Sequence, residues 1–161
     1  MTTGSWAALA FAWSVLFALP NLLWAAGFDS GSETIAADPD AALGWGAEPW
    51  ALALAGIAKI AIGVVALAAA SRDEGWLRRV VLVIGAGLLI YGLGNVVQHG
   101  LFVGGILEVP ESLGGYASRW HLLLWAPLWL LGGFLFLMTG WRSGRDRVEW
   151  RQESVKEETT T

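Results

Sequence analysis

The sequence contains no cysteine, which excludes disulfides, thiolate metal sites, thiol nucleophiles and dithiol redox pairs. Basic residues are scarce too, 10 Lys and Arg against 14 Asp and Glu. A net charge of −4 leaves no clustered positive face of the kind nucleic acid requires. The first five residues hold no Lys or Arg, and Trp24-Ala25-Ala26 is not a small-x-small cleavage site, so the first apolar run reads as retained and not as a signal peptide. No Asp or Glu falls in any of the long apolar stretches. A cation placed in one of them therefore has no carboxylate from the chain's own spans to pair with.

Four stretches are long and apolar enough to cross a bilayer: residues 5–26, 50–70, 80–104 and 120–141. The fold class expected is all-α, a polytopic membrane protein built as a four-transmembrane-helix bundle. Residues 1–141 form the membrane domain, and 142–161 a charged tail expected to be a frayed helix end followed by disorder. Loop Lys and Arg set the orientation. Eight of them (Arg72, Arg78, Arg79, Arg142, Arg145, Arg147, Arg151 and Lys156) lie on one side and Arg119 alone on the other, which puts both termini in the cytoplasm and the protein in the cell membrane. Acidic residues divide seven to seven and do not discriminate. Tryptophans follow the same division, with Trp6, Trp76, Trp141 and Trp150 at the inner interface and Trp24, Trp45, Trp50 and Trp120 at the outer one.

The outer loop 27–49 carries Asp29, Glu33, Asp38, Asp40 and Glu48 and no base. A short interfacial helix is expected in it, capped by Asp38 with Pro39 in its first turn and anchored by Trp45, and Pro49 opens span two. In the second outer loop, Gly104-Gly105 stops span three, residues 110–115 make a turn, and Ser118 starts span four.

Lys59 is the one charge inside an apolar stretch, about 9 residues and hence ~13 Å in from Trp50. Ala55, Gly56, Gly63 and Ala66 share its face, and small residues of that kind let a neighbouring helix come close, so Lys59 points into the bundle. Counting from the span ends puts Ser14 and Tyr91 at its level. Hydroxyls do not neutralise a charge, so Lys59 must use hydroxyls and carbonyls, meet water, or give up its proton. Span three adds Tyr91, Asn95, Gln98 and His99 at i, i+4, i+7 and i+8. Asn21 and His121 fall in the same outer half. Together Asn21, Lys59, Tyr91, Asn95, Gln98, His99 and His121 form a candidate ligand-binding set lining one cup open to the outside, with the 27–49 loop over its mouth. The inner half offers no matching polar track. No metal site or cofactor is expected, since two histidines with Glu108 or Glu111 fall short of the usual ligand pattern. A Ser14 and Lys59 nucleophile pair lacks any oxyanion donor.

The runs Asn21-Leu22-Leu23-Trp24-Ala25-Ala26-Gly27, Gly92-Leu93-Gly94-Asn95 and Trp125-Ala126-Pro127-Leu128 resemble those of an uncharacterised family of small four-span bacterial membrane proteins. The resemblance implies the four-span fold and carries no catalytic residue. It also implies an acidic side chain about where Asn95 stands, from which this chain departs. Three classes of function follow. The first is a non-catalytic bundle that binds a small or lipidic ligand, or serves as a membrane partner subunit. The second is a transporter or channel component acting as a homo-oligomer, and the third a lipid isomerase-type enzyme using His99, His121 and Lys59. The partners expected are the lipid bilayer and such a ligand, with no nucleic acid.

Overall fold

A backbone this apolar satisfies its own N–H and C=O groups most directly as helix, the form in which a single segment can cross a bilayer. A computed structural model describes residues 2–72 and 74–160, with side chains as far as residue 144. In chain order the helices are α1 (Thr3–Ala25), α2 (Pro39–Leu43), α3 (Pro49–Ser71), α4 (Gly75–Val103), α5 (Gly114–Trp120) and α6 (Ala126–Thr160). A π turn, His121–Trp125, joins α5 to α6 in one rod, and single turns of 3-10 helix occur at Ser32–Thr34 and Gly44–Ala47. The segments α1, α3, α4 and Gly114–Gly144 are each long and apolar enough to cross a membrane. The chain is thus an all-helical, multi-pass membrane protein. The start of α1 and the later part of α6 lie at one end of the bundle, here the terminus end, and the two long connections lie at the other, the loop end.

Local chemistry sets the boundaries. Thr2 caps α1, its Oγ1 accepting from Ser5 N at 3.2 Å. Asp38 caps α2, its Oδ1 accepting from Ala41 N at 3.0 Å with Pro39 at the first position, and Pro49 opens α3. The rod of span four begins earlier than Ser118. Leu113 N and Gly114 N both bond to Pro110 O, Gly114 turns the chain at φ +74°, and Ser118 is buried inside the helix. At the other end α6 runs on to Thr160 where a disordered tail was expected, in keeping with a composition of Arg, Glu, Gln and Lys that favours helix. Arg145, Arg147, Trp150, Arg151 and Lys156, assigned to the inner side from sequence, lie outside the residues whose side chains are described. Pro127 explains the π turn. It has no N–H to offer Leu123 O and its ring crowds that carbonyl, so the preceding turn widens.

The bundle is two tight pairs. α1 lies along α3, α4 lies along α6, and α1 also packs on α6, whereas α3 and α4 touch little although a short connection joins them. Glycine makes the close approaches. A methyl group at Gly85 would lie 2.8 Å from Leu137 N and one at Gly133 2.8 Å from Leu89 N, so α4 and α6 meet backbone to backbone. The ring of Trp13 fills the space over Gly132 and donates from Nε1 to Leu128 O at 2.9 Å. The apolar core (Trp13, Phe17, Ala66, Ala69, Leu77, Val81, Leu135 and Phe136) weights toward the terminus end.

Candidate ligand cleft

Two glycines fix the position of Lys59 against α1. A methyl at Gly56 would fall 2.7 Å from Leu22 Cδ2, and one at Gly63 2.7 Å from Ser14 Cβ. Lys59, between them in sequence, thus starts opposite the Phe17–Ala18 level of α1. Its side chain reaches about one turn toward the loop end, where Nζ donates to Asn21 Oδ1. Phe17 and Asn21 are four residues apart and share a helix face, so α1 supplies both an acceptor and a ring. The Nζ sits 4.4 Å from the centroid of Phe17 and 5.7 Å from that of Trp129 in α6. Both are cation–π distances, and the ring faces offset part of the cost of holding an ammonium away from water. Ser14, expected at this depth, turns out to pack against Gly63 with its buried Oγ unpartnered.

Trp129 is the floor of the site. Phe17 meets it edge-on at 4.7 Å and 89°, and Tyr91 of α4 meets it edge-on at 4.7 Å and 71°. Lys59 therefore lies against Trp129 from the α3 side and Tyr91 from the α4 side. Toward the loop end the two helices are not packed together: Ala58, Tyr91, Gly94 and Gln98 are exposed, Tyr91 by 54%. Methyl groups at Gly87 or Gly94 would meet nothing within 4 Å. The seam between α3 and α4 beside Lys59 is thus sparsely packed and open to the side. Among the described residues no carboxylate pairs with Lys59, and Asn21 is its one hydrogen-bond acceptor.

A second polar group sits apart. The imidazoles of His99 in α4 and His121 in the π turn stack face to face, 4.2 Å between centroids and 4° from parallel. His121 Nε2 lies 3.0 Å from Ile35 O. A carbonyl only accepts, so that nitrogen carries a proton. Both Nδ1 atoms are buried without a partner. Above them a strap of loop residues crosses the loop end. Trp24 Nε1 donates to Ser30 O at 3.1 Å, and Trp125 Nε1 lies 3.2 Å from Thr34 O and 3.3 Å from its Oγ1. Ala37 N and Asp38 N donate to Leu113 O and Ser112 O, both at 2.9 Å. The strap crosses the loop end, where the sequence reading set the 27–49 loop over the mouth, and the sparsely packed α3–α4 side is the opening beside Lys59.

The seven residues proposed from sequence thus divide. Asn21, Lys59 and Tyr91 gather around Trp129, while His99 and His121 pair beneath the strap. Trp125, whose ring lies 5.9 Å from that of Phe17, stands between the groups. Asn95 is buried and donates from Nδ2 to Tyr91 O of its own helix at 2.9 Å, and Gln98 faces outward. Sequence reasoning missed Phe17, Trp129 and the strap carbonyls of Thr34 and Ile35. Phe17 was detectable, since it lies one turn before Asn21 and one after Ser14 on the polar face of α1. Backbone carbonyls from a distant loop leave no such mark. No curated protein and no solved structure matches the chain. The model of the family described as "Protein of unknown function (DUF3995)" matches residues 14–136, most of the chain, and the protein belongs to that family.

Proposed function

We propose that the protein is a non-catalytic membrane bundle that binds a small or lipidic ligand, admitted sideways between α3 and α4 and held at Lys59. The observation that carries this reading is an ammonium inside a span with a single neutral acceptor and two aromatic faces around it. So incomplete a shell, beside an open cleft, fits an occupant that supplies the missing acceptors. With eight loop Lys and Arg at the terminus end and one at the loop end, both termini face the cytoplasm of a cell-membrane protein and the cleft opens to the outer leaflet.

Packing argues against a conduit within one subunit. Ala66, Ala69, Leu77, Val81, Leu135 and Phe136 close the terminus half with apolar side chains. A role as partner subunit is the second reading, favoured by the outward-facing Gln98 beside the open Gly94. Native mass spectrometry of the purified protein tests both. A retained small molecule or lipid, lost in Lys59→Met, supports the binding reading. A stable oligomer whose ligand content is indifferent to Lys59→Met supports the other.

A further inference from the structure

Resting on that cleft, we infer that its ligand is an amphiphile with an acidic head, a carboxylate or a phosphate, which pairs with Lys59 while its chain lies between α3 and α4. Charge comes first. No Asp or Glu stands in any span, and among the described residues none reaches Lys59. Asn21 brings a neutral amide oxygen, and Phe17 and Trp129 bring neutral ring faces. One hydrogen bond leaves two of the three ammonium protons without an oxygen acceptor. An anion accepts from the ammonium where the chain offers no charged partner and cancels the charge, and charge-assisted hydrogen bonds are about twice as strong as neutral ones.

Depth agrees. Asn21 is four residues short of the end of α1 at Ala25, about 6 Å along the axis. The ammonium is therefore drawn to a level just beneath the loop-end interface. There an amphiphile lying in the bilayer carries its polar head, and its chain continues inward among apolar groups. Inward of the head the flank of α4 is open at Gly87, where a methyl group would meet nothing within 4 Å, so a chain can lie along it. Tyr91, half exposed at the rim with its ring braced on Trp129, is placed beside the head. A cationic head is repelled by Lys59, and an uncharged one leaves its charge uncompensated.

The test compares oleic acid with methyl oleate, and phosphatidylglycerol with diacylglycerol, binding to the full-length protein in neutral detergent by native mass spectrometry. The expected result is a preference for the acidic member of at least one pair of about tenfold or more, the size of one charged hydrogen bond. A preference confined to oleate identifies a carboxylate ligand, and one confined to phosphatidylglycerol a phosphate. Lys59→Arg should keep the preference and Lys59→Met should abolish it. Equal binding within both pairs overturns the inference and leaves the cleft reading intact. Binding of none of the four overturns both. The comparison of acid with ester on the unaltered protein needs no variant to fold.

Discussion

Lys59 and Asn21 make the most consequential polar contact between side chains in the bundle, because each is otherwise a liability in an apolar slab. Their coupling is measurable. In a double-mutant cycle of Asn21→Leu and Lys59→Met, unfolding in detergent should give an interaction of about 1–2 kcal/mol, near the upper end for hydrogen bonds between transmembrane helices. Additivity within about 0.3 kcal/mol would mean that the pair does not act together. The pairing was only half legible from sequence. The face and inward aim of Lys59 follow from Gly56, Gly63 and Ala66, but its partner depends on the register of α1 against α3. Gly56 against Leu22 and Gly63 against Ser14 set that register, a fit between segments far apart in the chain. Depth counting favoured Ser14 and Tyr91 because it ignored the reach of a lysine side chain.

At the level of the helix, glycines divide into those that permit contact and those that do not. Gly85 and Gly133 each have the partner helix's backbone within about 3 Å of where a methyl would stand, whereas Gly87 has nothing within 4 Å. Gly85→Ala and Gly133→Ala should therefore each destabilise the bundle by about 1–3 kcal/mol through overpacking. Gly87→Ala should be neutral or stabilising by up to about 1 kcal/mol, from helix propensity alone. Thermal unfolding of the three variants in one detergent checks this, and equal effects would contradict the α4–α6 contact. Helix faces also show why the span-three constellation dissolved. Tyr91, Asn95, Gln98 and His99 share an arc about 100° wide, and the border between the α6-facing side and the open side runs through it. Asn95 and His99 fall inside that border, Tyr91 and Gln98 outside. Periodicity finds such an arc but not the border, which depends on how far α3 stands off.

For the molecule as a whole, the four spans, the cap at Asp38 and a loop over the outer end could be read from apolar runs and capping chemistry, while the contacts of the strap could not, since its carbonyls come from residues of no special type. Orientation has its own check. Ser30→Cys and Ser71→Cys, both exposed and at opposite ends, should react differently with an impermeant thiol reagent on intact cells, Ser30→Cys being labelled and Ser71→Cys protected. The reverse pattern would turn the cleft toward the inner leaflet. The π turn bears on the whole chain as well, because it acts as a phase shifter. Its extra residue turns everything before it by about 100° relative to α6, and that rotation is what aims His121 at Ile35. Leu123 sits in that turn with 74% of its surface exposed, so deleting it removes little buried contact. If deletion of Leu123 lets the rod revert to plain α-helix, His121 should swing off His99 and the strap amides of residues 30–37 should lose their protection from hydrogen exchange while α1 and α3 keep theirs. A chain that tolerates substitution at this position should then be intolerant of a change in length there, as a gear tolerates wear on a tooth but not the loss of one.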